Sequence, residues 1–297
     1  TKNINKNYLK YIDSLKNSKN IYFSKYKNSI NIKNKTIIFD FSNGFSVESN
    51  PTIEEMNHVL LNKNQPKKKI IILHDLHIPR SFNKNIGSKK NVINFIKKYN
   101  FKFICYGYAS DTYEHKFFKE NNIKYKNLIH HINSNIFKNY HIPKTYEIII
   151  YGASNKKSYP FRNRLSKLLP KYFNVIIIED LLAGGLKPKE LAKMINKSIL
   201  GVATPSKYNY FLQKYLEIPF CNCGLLGNLP KSQKIKEIYK NNYTEILPEM
   251  KDEEIINVIK KALINKKEIE IKKENLYNDV KKYNFNNFSD NFIKTIE

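Results

Sequence analysis

Residues 146–162 read YEIIIYGASNKKSYPFR, and the fold assignment rests on this stretch. Tyr146 to Tyr151 form a short run rich in β-branched and aromatic residues, which is typical of a strand buried on both faces. Gly152 and a polar turn follow, and Pro160 then occupies a favoured first position of a helix. The stretch therefore predicts a strand, a glycine turn and a helix, the unit from which α/β folds are built.

Similar apolar runs recur along the chain, at 36–41, 69–74, 101–106 and 175–179. The amphipathic segments between them predict helices, at 53–62, 89–99, 113–121, 161–170, 188–196 and 208–216. This alternation predicts an α/β protein of two Rossmann-like domains facing a cleft, and 297 residues suit two domains. The expected divisions are 1–145, 146–275 and a C-terminal segment, 276–297, that packs back on the first domain.

The chain is strongly basic, with 52 Lys and Arg residues, 26 acidic residues and a formal net charge of +26. A basic surface attracts phosphate-bearing polymers. The lysine runs are short and scattered, however, and they accompany abundant Asn and Ile. This pattern favours a solvated lysine surface, with a nucleic-acid partner as the less favoured interpretation.

Cysteine usage and hydropathy limit the class of protein further. Three cysteines, with Cys221 and Cys223 close together, form neither a zinc pattern nor an even disulfide framework. We therefore expect a reducing compartment. No apolar run is long enough to span a bilayer, and the first residues lack the apolar core of a signal peptide. These features predict a cytoplasmic protein without a transmembrane segment.

The turn after Tyr151 is the first candidate site. At the carboxyl end of a parallel strand, a glycine lets a ligand approach the backbone, and the next helix directs free N–H groups towards it. Two of the only three arginines in the chain follow this turn. Guanidinium groups match phosphate oxygens in geometry. The segment predicts a diphosphate site, with ordinary surface cations as the alternative, formed by Gly152, Arg162, Arg164 and Lys167.

Residues 206–228 form the second candidate site. They predict an amphipathic helix ending near Glu217, a tight turn through Pro219 and a short strand over 223–226. A carboxylate at the mouth of a crevice can accept two hydrogen bonds from a ribose diol. The alternative is a solvated glutamate at a helix end.

The stretch KYLEIPFCNCGLLG, residues 214–227, resembles the signature of group 1 and CgeB-like glycosyltransferases. In that signature a basic residue, an aromatic-Glu pair, a small-residue turn and a hydrophobic strand recur. Residues 146–162 and 128–137 are similar to two further segments of the same families, in the same order. Here Leu216 replaces the usual aromatic residue and Asn222 the usual glycine. The Lys- and Asn-rich composition resembles that of members from large DNA viruses.

The resemblance implies a GT-B fold with the acceptor in the first domain and the nucleotide-sugar in the second. It implies that Glu217 binds the donor ribose, that Arg162 with Lys167 or Arg164 binds the diphosphate, and that Lys214 belongs to the donor site. The expected reaction is transfer of a hexosyl or related sugar from a UDP- or GDP-linked donor to a hydroxyl, with retention, without a metal and without a further cofactor. A viral member would act in the host cytoplasm.

Two other functions stay open at this point. One is a glycosyltransferase directed to DNA or another polyanion, which the lysine excess would favour. The other is a sugar-nucleotide or nucleic-acid binding module that lacks catalysis, since a fold alone does not fix a function.

The segment His74-Asp-Leu-His-Ile-Pro-Arg80 follows a predicted strand of the first domain and should also face the cleft. Asp75 and His77 are suited to orient an acceptor hydroxyl or to take its proton. A structural polar turn and a metal site through the His-x-x-His spacing are the alternatives. Arg162 joins the predicted catalytic residues because it would stabilise the departing diphosphate. The predicted acceptor-side residues are Gly44, His74, Arg80 and His131.

Overall fold

The computed structural model describes residues 36–41, 68–73, 89–101, 103–106, 113–127, 129–179 and 186–296. The chain divides into two compact units, His130–Asn287 and Thr1–Ile129 with Phe288–Glu297. The sequence-based divisions at 145/146 and 275/276, and the packing of the C-terminal segment, stay predictions. Within the described ranges, no helix has both the length and the apolar character needed to cross a membrane.

The sheet of the first unit contains four described strands, all parallel, in the order β1-β2-β3-β4. Parallel neighbours cannot be joined by a tight turn, and a helix lies between β2 and β3 and another between β3 and β4. Ile93 and Ile96 of the first helix and Phe118 of the second are buried in this unit. The elements are β1 Thr36–Phe41, β2 Lys68–Leu73, α1 Lys89–Lys98, β3 Phe103–Tyr106, α2 Tyr113–Glu120, β4 Tyr125–Asn127 and the C-terminal α9 Phe288–Ile296.

The second unit also contains a parallel sheet, with five strands in the order β6-β5-β7-β8-β9. Its strands are β5 Tyr146–Tyr151, β6 Val175–Ile178, β7 Ser198–Ala203, β8 Gly224–Gly227 and β9 Thr244–Glu245. Its described helices are α3 Pro160–Leu168, α4 Pro188–Asn196, α5 Lys214–Phe220, α6 Gln233–Tyr239, α7 Asp252–Ile264 and α8 Lys266–Val280.

The strand order of the second unit determines where a ligand crevice can open. The chain runs from β5 outward to β6 and then returns past β5 to form β7. In a parallel α/β sheet, such a reversal leaves a crevice at the carboxyl ends of the two strands on either side of it. These ends are Tyr151 in β5 and Ala203 in β7. Any residue that joins them lies at the favoured binding position of the fold.

The core beneath this edge consists of aliphatic side chains from the sheet and from α3 and α7. Ile148 and Ile150 of β5, Leu165 of α3, and Ile255 and Ile259 of α7 are completely buried in one cluster. Burying a side chain of this size stabilises the fold by about 1.5–3 kcal/mol. A well-packed core therefore supports the carboxyl ends of β5 and β7.

Most predicted elements of the described chain are confirmed, and one is wrong. The predicted helix at 208–216 is wrong, because the helix spans Lys214–Phe220 and includes Pro219. Asn209 has a left-handed φ of 59°, and Phe211 stacks on Tyr215 with ring centroids 5.2 Å apart, so the aromatic pattern reflects a buried loop. Strands β4, β7 and β9 and helices α6, α7 and α8 were not predicted. The predicted helix at 53–62 lies outside the described residues.

Candidate functional site

Arg162 joins the carboxyl ends of β5 and β7. It lies in the first turn of α3, which starts at Pro160. Its Nη1 donates to the carbonyl of Ala153 at 2.7 Å, just after β5, and its Nη2 donates to the carbonyl of Thr204 at 3.0 Å, just after β7. The guanidinium carbon lies 4.3 Å from the centre of the Tyr159 ring. Arg162 is therefore a fixed charge at the switch point of the sheet.

Lys214 places a second cation at the same edge. Its ammonium donates to the carbonyl of Tyr151 at 2.5 Å and lies 4.4 Å from the centre of the Tyr151 ring. Gly152 has a φ of 79°, which favours glycine. A Cβ atom added at Gly152 would lie 3.4 Å from Lys214 Nζ and 3.9 Å from Arg162 Nη1. Both cations thus lie close to Gly152, whose own N–H donates to the carbonyl of Ile178 at 2.8 Å.

A carboxylate completes the cluster. Oε2 of Glu217 accepts a hydrogen bond from the Tyr151 hydroxyl at 2.8 Å. Both side chains are buried, Tyr151 at 2% and Glu217 at 8% exposure. Lys214 and Glu217 are three residues apart on α5, so they point to the same side of that helix. The described cluster consists of Tyr151, Gly152, Arg162, Lys214 and Glu217.

Burial shifts the titration of the charged members. It lowers the pKa of Lys214 well below the usual lysine value, and the nearby Arg162 charge lowers it further, while Glu217 acts in the opposite direction. Burial raises the pKa of Glu217, against the Tyr151 hydrogen bond and the Lys214 charge, which both lower it. Burial thus disfavours the charged forms of both Lys214 and Glu217, and perturbed pKa values of this kind cluster at functional sites.

Arg164 and Lys167 are not brought to this cluster. Arg164 faces α7: it forms a salt bridge with Asp252 at 2.5 Å and donates to the carbonyls of Pro248 and Met250. Lys167 is exposed in the last turn of α3. Arg164 also lines a cavity of about 330 Å³, together with Pro160, Phe161, Pro205, Ser206, Lys207, Asn228 and Pro248. Their roles in diphosphate binding stay predictions.

His131 lies elsewhere in the second unit, buried and edge-on to the Tyr283 ring at 5.8 Å. The preceding His130 stacks on Phe211 at 6.4 Å, and burial lowers its pKa to about 4, so it is neutral near pH 7. The other predicted catalytic and acceptor-side residues lie outside the described residues: Gly44, His74, Asp75, His77 and Arg80.

Two features of the site were missed from the sequence. Tyr151 was assigned only to a strand, although its hydroxyl, ring and carbonyl all contact the cluster. Glu179, which follows β6, accepts a hydrogen bond from the Ser154 hydroxyl at 2.6 Å. An acidic residue directly after the second strand of a βαβ unit is a recognised nucleotide-binding signal and would have identified Glu179.

The arrangement can bind an anion next to a diol. The two cations beside Gly152 suit a diphosphate, and the Glu217 oxygen that does not accept from Tyr151 is suited to hydroxyl groups. No group of three metal-ligating side chains occurs among the described residues.

Of three comparisons with known proteins, the search of solved structures gives matches. No protein-family model matches the sequence, and a search of curated proteins gives no significant match. Among solved structures, sucrose-phosphate synthase from Thermosynechococcus elongatus has a TM-score of 0.55 at 12% identity, covering 87% of this chain and 72% of that one. TarM has a TM-score of 0.52 at 11% identity, covering 90% and 56%. Anabaena Alr3699/HepE in complex with UDP and glucose has 0.51 at 12%, covering 77% and 71%.

These structures are GT-B glycosyltransferases. At such low identity the similarity shows the fold alone, and it confirms the predicted fold class, an α/β architecture with parallel sheets of the GT-B type. The resemblance to CgeB-like and viral members stays a prediction.

Proposed function

We propose that this chain transfers a sugar from a nucleoside-diphosphate sugar, UDP- or GDP-linked, to a hydroxyl acceptor. The observation that carries this proposal is the position of Arg162, which bridges the carboxyl ends of β5 and β7 at 2.7 and 3.0 Å. It lies beside the second buried cation, Lys214, in a fold shared with nucleotide-sugar glycosyltransferases.

Within this proposal the donor binds along the edge of the second unit. Arg162 and Lys214 neutralise the diphosphate, which approaches the backbone closely at Gly152. Glu217 accepts hydrogen bonds from the ribose diol through the oxygen that does not bind Tyr151. Arg164 and Lys167 contribute through the positive potential of α3 and do not contact the cluster.

The chemical step breaks the bond between the anomeric carbon and the diphosphate oxygen and forms a bond from that carbon to the acceptor oxygen. We propose retention, with attack from the face that the diphosphate leaves. The acceptor proton passes to Asp75, His77 or the departing diphosphate. Arg162 and Lys214 stabilise the charge that develops on the leaving group, so the proposed reaction needs no divalent metal and no other cofactor.

The net charge of +26 favours one version of this function, in which the acceptor belongs to a polyanion such as DNA. Acceptor binding that weakens steeply as salt rises would support this version. Weak dependence on salt would point to a neutral acceptor. A cytoplasmic location, in a host cell if the protein is viral, is part of the proposal.

The test is release of nucleoside diphosphate from a panel of UDP- and GDP-sugars, beginning with UDP-glucose because Alr3699/HepE was solved with UDP and glucose. We expect one donor to give turnover that Arg162→Ala slows at least ~100-fold and that Lys261→Ala, at an exposed position of α7, leaves unchanged. Binding of a donor without turnover, in the presence of varied acceptors, would favour the non-catalytic module. An Arg162→Ala variant with full turnover would refute the assigned site.

A further inference from the structure

Tyr151 stands between the two oppositely charged residues of α5. Its hydroxyl donates to Glu217 Oε2 at 2.8 Å, and its carbonyl accepts from the Lys214 ammonium at 2.5 Å. The same ammonium lies 4.4 Å from the centre of the Tyr151 ring. One strand-end residue thus contacts both charges through three different groups.

The usual behaviour of such a charge pair makes this arrangement notable. Lys and Glu three residues apart on a helix are close enough to form an ion pair, and Glu270 and Lys273 of α8 do so at 2.6 Å. Within the described chain, Lys214 and Glu217 form no such salt bridge, because each makes its hydrogen bond to Tyr151. Their charges therefore stay separate.

We propose that Tyr151 is a positioning residue that keeps Lys214 and Glu217 apart, so that the ammonium serves the diphosphate and the carboxylate serves the ribose diol of one nucleotide. This inference rests on the proposed function and adds a residue to it. A direct ion pair would neutralise both groups and remove them from the ligand. The tyrosine hydroxyl also supports the ionised form of a carboxyl group that burial disfavours.

The groups around Glu217 define what the hydroxyl should do. They are Tyr151 from β5, Lys214 from the same helix and Cys221 directly after that helix, with Arg162 from α3 acting on Lys214. Burial raises the pKa of Glu217, and the Tyr151 hydrogen bond opposes that rise. Loss of the Tyr151 hydroxyl should therefore raise the pKa of Glu217 further. As the pH is lowered, ligand binding that requires the ionised carboxylate should then be lost at a higher pH than in the wild type.

The test compares Tyr151→Phe with Tyr239→Phe in the full chain. Tyr239 is the matched control, because its buried hydroxyl donates to the carbonyl of Tyr215 at 2.6 Å and does not contact Glu217. The first measurement is the carbon-13 NMR titration of the Glu217 carboxyl group without ligand, assigned with Glu217→Gln. We expect Tyr151→Phe to raise its midpoint by about one pH unit, as loss of a hydrogen bond to a charged group should do. Tyr239→Phe should leave it unchanged.

The second measurement is UDP and GDP binding by calorimetry over the same pH range. We expect the loss of affinity at low pH to begin at a higher pH in Tyr151→Phe, with about twofold weaker affinity than wild type near the new midpoint, about tenfold weaker affinity well below both midpoints, and recovery at higher pH. Equal Glu217 midpoints in wild type and Tyr151→Phe would overturn the role of Tyr151. Failure of the wild type to bind either nucleotide would instead overturn the proposed function, while the ligand-free titration still decides on Tyr151.

Discussion

The guanidinium of Arg162 donates to the carbonyl oxygen of Thr204 at 3.0 Å, and this bond fixes the helix after β5 to the end of β7. The charge that should bind the donor is therefore also part of the frame of the site. Preorganised charge of this kind does not need to reorient as the reaction proceeds.

Replacing Arg162 should affect catalysis and stability together. Arg162→Ala removes both strand-end contacts, so we expect at least ~100-fold slower turnover and a loss of roughly 2 kcal/mol or more in unfolding free energy. Arg162→Lys keeps the positive charge but loses the forked donors of the guanidinium, and it should recover part of the turnover. The rate of nucleoside-diphosphate release measures turnover, and urea unfolding measures stability. Wild-type turnover by Arg162→Ala would contradict the prediction.

Gly152→Ala should weaken diphosphate binding more than its stability loss explains. The residue has a φ of 79°, and the new methyl group would lie 3.4 Å from Lys214 Nζ. The backbone strain should destabilise the fold by about 1 kcal/mol, and the methyl group would occupy the approach to the backbone. Asn222→Ala, at a φ of 54° outside the cluster, is the control. Equal nucleotide affinity in both variants would exclude close approach at Gly152.

Lys214→Met should change the pH dependence of stability. Because the pKa of Lys214 is lowered in the folded chain, the unfolded chain binds more protons between that pKa and the ordinary value of 10.5. Wild-type stability should therefore rise with pH within this window, and Lys214→Met should flatten the rise while reducing UDP or GDP affinity. Thermal unfolding between neutral pH and about pH 9.5 measures the slope. A rise of equal slope in the variant would show that Lys214 is not its source.

Glu217→Gln should remove the nucleotide-induced thermal shift. Bound ligand raises the melting temperature by mass action. A neutral amide cannot accept the hydrogen bonds of the ribose diol as a carboxylate does. Since the pKa of Glu217 is raised in the folded chain, the wild-type shift should fade as pH drops through that raised value. Glu237→Gln, at an exposed position of α6, is the control. A full shift with Glu217→Gln would remove this residue from the site.

Arg164→Gln should separate stability from binding. Its guanidinium is held by Asp252 and the carbonyls of Pro248 and Met250. These partly exposed contacts should contribute about 1 kcal/mol to unfolding free energy, with little effect on nucleotide affinity. Calorimetric titration at fixed salt provides the measurement. A tenfold loss of affinity would support the sequence-based assignment of Arg164 to the diphosphate.

The fold was largely predictable because its strands are apolar runs bounded by turns. Among the longer strands β7 was not predicted, because SILGVA follows α4 without a Gly or Pro between them and its small Gly201 and Ala203 weaken the strand pattern. Gly201 is nevertheless required by packing, since an added Cβ would lie 2.9 Å from Ile218. The local sequence does not reveal this requirement, because Ile218 belongs to a different element, helix α5.

Members of the candidate site could be proposed from the sequence where a residue type is rare in the chain or where the surrounding residues resemble a known family. Arg162 was identified because arginine is rare in this chain, and Glu217 because of the resemblance around it. The contact of Tyr151 with Glu217 spans 66 positions and depends on how α5 packs against the end of β5. No spacing rule encodes such a contact, so a tyrosine in a strand gave no local signal of its role.

The scarcity of arginine gives this protein a built-in spectroscopic reporter. The chain contains three arginines, so its guanidinium Nε–H signals are few. The Nε of Arg162 is buried and has no hydrogen-bond partner among the described residues. Its proton should exchange slowly with water and resonate apart from the exposed arginines, and its chemical shift should move when a phosphate-bearing ligand enters the edge of the sheet. Occupancy of the site can thus be followed at a single atom by nitrogen-15 NMR, without dyes or turnover.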